Sequence, residues 1–359
     1  MIKGNKGEWS EIYTLLKTLA DKKLFAGDSD LKKIESLIFP VVKILRDESY
    51  GTYEFAYDSD LVIIKGFNEE FRIPISKFQE KATLLLSKLK ETTSATFSIP
   101  EIEKFINSFN CHSLKASSSI KSDIKIVIHD QRTGTTPELG FSIKSQLGSA
   151  STLLNAGKTT NFVYEIEGTV LSDIQIEEIN KIGSRSKIKD RIEKIKDLSG
   201  SLSFRKTESS IFGNNLTLID SALPKILAEI VCLFFTSGNS KTVDLVNEIS
   251  KLNPLNFNLE TNHPFYSYKI KRFLTDVALG MMPSRVWSGE LDATGGYLVV
   301  KEDGEILCYH IYNRNEFEDY LLNNTKLETA SSTRHNFGII YKEDGRQFFK
   351  LNLQIRFLK

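Results

Sequence analysis

The chain has 359 residues, of which 40% are hydrophobic and 26% are charged, and its formal net charge is +1. This length predicts about two domains with a large buried core, and the net charge neither supports nor excludes a nucleic-acid partner, since a basic cleft can lie on a balanced surface. No segment approaches the roughly 18 consecutive apolar residues of a membrane span, and the N-terminus has no apolar signal core, so we expect a cytoplasmic protein without membrane contact.

The first third of the chain predicts both helices and strands. Apolar residues at helical spacing predict a helix over 8–24, while the similar spacing over 31–47 is interrupted by Pro40, which breaks a helix. Further along, predicted strands cover 53–57, 61–65 and 71–75, predicted helices cover 76–92 and 100–109, and a predicted serine-rich loop covers 114–121.

The rest of the chain is helical in the middle and rich in strands at its C-terminal end. A strand is predicted over 162–166, and an apolar stripe predicts a basic amphipathic helix over 181–196. Predicted helices then cover 220–236, 241–252 and 269–279, and predicted strands cover 296–300, 306–312, 337–342 and 348–357. The pattern predicts an α+β chain with a β-rich C-terminal region.

Two neighbouring predicted strands, 122–128 and 137–146, carry the most informative residues. Asp123 opens the first strand, and the second strand alternates apolar residues with a polar face that includes Lys144. Hydrolysis of a phosphodiester needs a carboxylate that holds Mg²⁺ and a lysine that orients or activates the attacking water. The pair therefore favours a metal-dependent nuclease, although each residue alone is more often a solvated surface group.

A second metal-binding acid is not identified by its spacing. The common nuclease pattern has an acid two residues before the lysine, and here that position is Ser142. Glu138, on the same strand face, and Glu11, on the first helix, are candidate ligands, with Glu8 and Glu165 left open as further alternatives. On the strand of Lys144, Gln146 could orient a water molecule.

Two polar segments are candidates for DNA contact. Residues 148–161 are rich in small and polar side chains that can donate hydrogen bonds to phosphates, and a second polar loop contains Arg334 and His335, which could bind bases or phosphate. The candidates in the first segment are Ser149, Ser151, Thr152, Asn155, Lys158 and Asn161.

Four stretches of sequence, spread over nearly the whole chain, have a wider similarity. They are Gly4-Asn5-Lys6-Gly7-Glu8-Trp9-Ser10-Glu11, Gly140-Phe141-Ser142-Ile143-Lys144-Ser145-Gln146-Leu147-Gly148-Ser149, the segment from Thr152 to Phe162, and the segment from Tyr320 to Gly338. Together they resemble the HpaII-type family of type II restriction endonucleases.

This resemblance implies a PD-(D/E)xK nuclease fold, in which an α/β core of mixed sheet is flanked by helices. It implies Mg²⁺-dependent cleavage of both strands of a short palindromic DNA site, CCGG for the namesake, cut after the first cytosine. Asp123 matches the motif aspartate and Lys144 the motif lysine, while Ser142 replaces the usual acid. In this hypothesis the Ile143 carbonyl and one of Glu11 or Glu138 complete the metal shell.

The expected organisation is a nuclease core over residues 1–220 and a helical, then β-rich, DNA-recognition region over 221–359. A palindromic site is most simply cut by a homodimer. A cognate DNA methyltransferase is expected to act on the same site without contact with this chain. Two alternatives remain open from the sequence: a catalytically inactive DNA-binding protein, which Ser142 favours, and a strand-nicking repair endonuclease.

Overall fold

The computed structural model of the chain describes residues 2–48, 51–115, 122–131 and 134–359. The predicted loop over 114–121 lies outside the described residues from position 116 onward. The elements follow one another as α1 (Lys6–Asp21), β1 (Lys23–Gly27), β2 (Lys33–Glu48), β3 (Gly51–Asp58), β4 (Leu61–Gly66), β5 (Glu69–Pro74), α2 (Ile75–Glu91), α3 (Pro100–Asn107), β6 (Ile124–Ile128), β7 (Glu138–Ser145), β8 (Thr152–Leu154), β9 (Asn161–Glu167), α4 (Asp173–Lys181), α5 (Lys187–Asp197), β10 (Ser201–Thr207), α6 (Ser210–Ile219), α7 (Leu223–Ser237), α8 (Thr242–Leu252), α9 (Phe265–Leu279), β11 (Gly296–Val300), β12 (Ile306–His310), α10 (Arg314–Asn323), β13 (Thr325–Leu327), α11 (Ser332–His335), β14 (Ile340–Glu343), β15 (Arg346–Asn352) and β16 (Ile355–Phe357).

These elements form two compact units. The first contains Met1–Ser151, Leu291–Tyr320 and Lys359, and the second contains Thr152–Glu290 and Leu321–Leu358. The division differs from the predicted boundary at residue 220, because β11 and β12 pair with strands from the N-terminal part of the chain. The expectation of an α+β chain is confirmed.

The first unit is built on a nine-stranded mixed sheet. Its strand order is β1-β12-β11-β7-β6-β2-β3-β4-β5, in which β1 runs parallel to β12 and β11 runs parallel to β7. The apolar faces of α1, α2 and α3 pack against this sheet and form a continuous core with it. Strand β7, which carries Lys144, and strand β6, which follows Asp123, lie in the middle of this sheet with a paired strand on each side.

Strand β2 was missed as a strand because Pro40 lies in its middle. Residues 33–40 pair with β1, whereas residues 41–48 pair with β6 and β3. Proline has no N–H to donate between strands and is tolerated where the pairing is irregular. Pro40 lies at such a point, because β2 changes there from pairing with β1 to pairing with β6 and β3. The Pro40 carbonyl still accepts a hydrogen bond from the His129 N–H at 2.8 Å.

The second unit contains two smaller antiparallel sheets together with the helices α4 to α9 and α11. The four-stranded sheet has the order β10-β9-β15-β14, and the three-stranded sheet has the order β13-β16-β8. The predicted turn at 343–345 joins β14 to β15, with Asp344 and Gly345 at φ 50° and 73°. Two successive positive φ values suit a tight hairpin and explain the Asp-Gly pair. No helix in the described part of the chain is both long and apolar enough to cross a membrane.

Candidate active site

Asp123 is held rigidly at the start of β6. Its backbone N–H donates to the Phe141 carbonyl at 2.8 Å, which fixes it opposite β7. Its Oδ2 atom accepts hydrogen bonds from the Ile143 N–H at 2.7 Å and from the Ser142 hydroxyl at 3.1 Å. These contacts use one carboxylate oxygen, and Oδ1 accepts no hydrogen bond from the residues that the structure describes. The carboxylate is therefore oriented through its Oδ2 atom.

Lys144 is joined to Asp123 through Ser142. The Lys144 ammonium donates to the Ser142 Oγ at 2.9 Å, and the buried Ser142 donates in turn to Asp123. The ammonium also lies 4.8 Å from the ring centroid of Tyr297, a residue of the neighbouring strand β11. Burial lowers the pKa of Lys144, while the charges of Asp123 and Glu11 act in the opposite direction. A lowered pKa makes the amine a better proton acceptor at neutral pH.

Glu11 is brought to the same place by helix α1. Asn5 and Glu8 form a reciprocal capping box that fixes the start of this helix. One turn further on, the hydroxyls of Ser10 and of Ser145 in β7 are joined by a hydrogen bond of 2.8 Å. Burial and, secondly, the charge of Asp123 raise the pKa of Glu11 to about 8, against the opposing effects of Arg46 and Lys115. Two carboxylates from different elements thus share one partly buried space.

An open cleft of about 1000 Å³ in the first unit contains these groups. Glu11, Asp123, Ile143 and Lys144 line it together with hydroxyl-bearing residues of two loops, 92–94 and 149–151. Lys115 also lines the cleft and pairs with Glu8 at 3.0 Å. An acidic centre surrounded by hydroxyls and lysines can accommodate a phosphodiester backbone beside a cation.

The donor set suits a Mg²⁺ ion. No group of three or more His, Cys, Asp or Glu side chains that could hold a metal occurs among the described residues. Mg²⁺ does not require such a group, because it keeps several waters and is commonly bound by one or two carboxylates. Burial and, secondly, the charge of Asp123 raise the pKa of Glu11, and a divalent cation bound beside the two carboxylates would favour their charged forms.

Glu138 and Gln146 are not among the residues that line this cleft. Glu138 is exposed and pairs with Val127 at the opposite end of β7. Lys144 lies six positions further along the strand, a distance of about 20 Å at the rise of an extended chain. Of the two acids that the sequence left open as metal ligands, Glu138 therefore lies away from the cleft, whereas Glu11 lines it. The Gln146 N–H donates to the Val300 carbonyl at 2.9 Å, which continues the pairing of β7 with β11.

The candidate DNA-contact residues of 148–161 divide between the two units. Ser149 and Ser151 line the cleft of the first unit. Thr152 begins β8 in the second unit, where Asn155 and Lys158 are exposed. Exposure leaves the last two available for contact with a ligand.

Asn161 is a structural residue, contrary to the expectation that it contacts DNA. It is fully buried, its Nδ2 donates to Glu208 at 2.7 Å and to the His335 carbonyl at 2.8 Å, and its Oδ1 accepts from Asn352 at 2.7 Å. A side chain that is saturated and excluded from solvent cannot reach a phosphate. It anchors α11 instead, on which Arg334 is exposed and His335 is half-buried.

Sequence reasoning missed two residues that surround the cleft, Tyr297 and Arg46. Tyr297 contacts Lys144 only because β11 runs beside β7, a pairing between segments more than 150 residues apart. Arg46 is buried, pairs with Glu48 at 2.7 Å and lowers the pKa of Glu11. Alternation along 41–48 would have been the signal for Arg46, had Pro40 not interrupted the pattern.

The chain is similar to known proteins over nearly its whole length. The family model described as HpaII restriction endonuclease matches residues 5–357. The type II restriction enzyme HpaII of Haemophilus parainfluenzae is 56% identical to it over 360 residues, which cover 99% of this chain and 98% of that protein. No solved structure matches the chain.

Proposed function

Because the chain belongs to the HpaII restriction endonuclease family and is a type II restriction endonuclease, we propose that it cuts both strands of duplex DNA at CCGG, after the first cytosine, with Mg²⁺ as its cofactor. The observation that supports this most is the hydrogen-bonded series Lys144–Ser142–Asp123 beside Glu11 in an open cleft. The products are 5′-phosphate and 3′-hydroxyl ends.

Asp123, Glu11 and the Ile143 carbonyl would hold the Mg²⁺ ion. When bound, this ion would neutralise phosphate oxygens and lower the pKa of water. Ser142 and the Ile143 N–H hold the Oδ2 atom of Asp123 in position, and the Oδ1 atom, which accepts no hydrogen bond from the described residues, would bind the ion. Lys144 orients the attacking water and accepts its proton, a role that its lowered pKa favours.

Ser142 allows the proposed site to work without a second acid on β7. Its hydroxyl accepts from Lys144 and donates to Asp123, so it keeps the amine and the carboxylate aligned. Glu11, from helix α1, supplies the second carboxylate that the strand lacks. The core would then be a PD-(D/E)xK fold in which a carboxylate from helix α1 takes the place of the usual carboxylate from the strand.

Several further features belong to the proposal. The enzyme acts as a homodimer in the cytoplasm, since two subunits related by a two-fold axis match a palindromic site. A cognate DNA methyltransferase acts on the same site without contact with this chain. Ser149 and Ser151 contact the DNA backbone from the cleft, and Asn155, Lys158 and the α11 residues contact it from the second unit.

The test is digestion of a sequenced plasmid with the purified protein, in Mg²⁺ and in EDTA, followed by mapping of the ends. We expect fragments that end at CCGG in Mg²⁺ only, and a loss of about 100-fold to 10,000-fold in cleavage rate for Lys144→Ala. Lys125→Ala is the matched control, because Lys125 lies on the adjacent strand and pairs with Asp47 at 3.2 Å. Cleavage by Lys144→Ala at the wild-type rate, or breaks in one strand only, would contradict the proposal.

A further inference from the structure

The proposed target site makes a specific chemical demand on the protein. Each half of CCGG consists of two G·C pairs, and guanine presents two acceptors, O6 and N7, in the major groove. An arginine guanidinium recognises these two acceptors with two parallel hydrogen bonds. A residue with this role must keep its guanidinium free of carboxylates and must be presented by a rigid backbone.

Most arginines of the described residues are already engaged. Arg191 is buried and donates to backbone carbonyls, and Arg272 of α9 is half-buried. Six others pair with carboxylates: Arg46, Arg72, Arg205, Arg314, Arg346 and Arg356. In the part of the chain that the structure describes, Arg185, Arg285 and Arg334 are exposed and form no ion pair. Arg334 is already a candidate for DNA contact, which leaves Arg185 and Arg285 to be considered.

Arg285 lies in a loop whose backbone is fastened by one buried amide. Asn215 of α6 is 3% exposed, and its Nδ2 donates to the Met282 carbonyl at 3.1 Å and to the Arg285 carbonyl at 2.8 Å. Its Oδ1 accepts from the Trp287 N–H at 3.1 Å. The Trp287 indole then donates to the Glu290 carbonyl at 2.9 Å. The Asn215 amide thus makes three hydrogen bonds with the backbone of the 282–287 loop.

This arrangement leaves the side chains of Arg285 and Val286 exposed to solvent. Val286 is 83% exposed and Arg285 is exposed beside it, although the backbone of both is fixed from below. Arg185, by contrast, lies in the five-residue connection 182–186 between α4 and α5, in which 183–186 are exposed. A guanidinium on a fixed backbone loses less conformational entropy on binding, which favours Arg285 as the base-reading residue.

We propose that Arg285 determines specificity by binding a guanine of the target site, and that Asn215 is the positioning residue that holds its loop. This inference rests on the proposed function. A contact with a base edge must make binding depend on that base pair, whereas a contact with a phosphate must weaken binding to all sequences equally.

The experiment compares cleavage rates on duplexes that contain CCGG with rates on duplexes in which one base pair of the site is altered. For Arg285→Ala we expect a loss of about 5-fold to 150-fold on CCGG and a smaller loss on one class of altered duplex, so that discrimination at that base pair falls. Arg285→Lys keeps the charge but should not restore discrimination. Arg185→Ala, the matched control, should keep the wild-type discrimination ratios, and Asn215→Ala should reduce discrimination at the same base pair as Arg285→Ala.

The outcomes separate the two levels of the argument. An equal loss on every duplex, with a reduced salt dependence of binding, would identify a phosphate contact and overturn the base-reading role of Arg285. Unchanged discrimination in Arg285→Ala would overturn it as well. Failure of the wild-type protein to cut CCGG would refute the proposed function itself. A melting temperature of Arg285→Ala equal to that of the wild type verifies that the fold is intact.

Discussion

Replacing Glu11 with glutamine should stabilise the metal-free protein at alkaline pH. The folded state raises the pKa of Glu11 from its ordinary value of 4.5 to about 8. Between these two values the folded chain binds more protons than the unfolded chain, so the free energy of unfolding falls as pH rises through this window. At about 1.36 kcal/mol per pKa unit, the full penalty above pH 8 is at most about 5 kcal/mol. Relaxation and water entry reduce it, and we expect at least about 2 kcal/mol.

Urea denaturation in EDTA, at several pH values from 4 to 9, measures this effect. The wild-type protein should lose stability relative to Glu11→Gln as pH rises, and the two should agree near pH 4, where the carboxyl group is protonated in both states. Mg²⁺ should restore stability to the wild type alone. Glu8→Gln is the control, because the pKa of Glu8 is lowered, chiefly by the Asn5 N–H, and its loss should not stabilise the protein. Parallel pH profiles for Glu11→Gln and the wild type would refute the reasoning.

Three further substitutions test individual contacts. Ser142→Ala removes the hydroxyl between Lys144 and Asp123, so it should lower kcat by about tenfold or more without changing DNA affinity. Ser142→Thr should restore part of the activity. An unchanged kcat in Ser142→Ala would contradict the alignment role. Asn161→Ala should lower the free energy of unfolding by about 2–4 kcal/mol in urea denaturation, because the three hydrogen bonds of this buried amide are lost. A change in DNA affinity without a change in stability would restore the DNA-contact hypothesis. Arg191→Met should cost about 3 kcal/mol in the same assay, because it leaves carbonyls of the 180–182 turn and of Gly338 without their donor, and wild-type stability would show that water replaces the guanidinium.

The sequence pattern predicted those helices and strands whose buried residues repeat regularly within one short segment. Helix α1 follows from the spacing of its apolar residues, and the structure buries those residues against the sheet. The strands β3, β4 and β5 also lie at the predicted positions, since neighbouring antiparallel strands need only short turns. Strand β2 was missed because its two halves pair with different partners, and that information is not contained in the local sequence.

The residues of the candidate site also separate into those that local sequence identified and those that depend on tertiary structure. Asp123, Ser142 and Lys144 were identified together because they belong to two strands adjacent in the chain and in the sheet. The choice among the acids depended on tertiary structure. Glu8 is engaged in the helix cap and with Lys115, and Glu165 pairs with Arg205 at 2.8 Å in the second unit. Glu11 differs from Glu8 because no cap or ion pair holds its carboxylate among the described residues, and it differs from Glu165 because α1 packs against β7 in the first unit. No spacing rule encodes either difference.

The serine at position 142 has a consequence for how the active site is assembled. An acid at this position would be aligned automatically by the strand that carries Lys144, whereas Glu11 is aligned only if α1 keeps its register on β7. That register depends on the capping box at Asn5 and on the Ser10–Ser145 hydrogen bond at 2.8 Å. The proposed metal centre is therefore coupled to the docking of the N-terminal helix. Substitutions that loosen this helix should reduce Mg²⁺ affinity even when Asp123 and Lys144 keep their hydrogen bonds, because one of the two carboxylates then lies outside coordination distance.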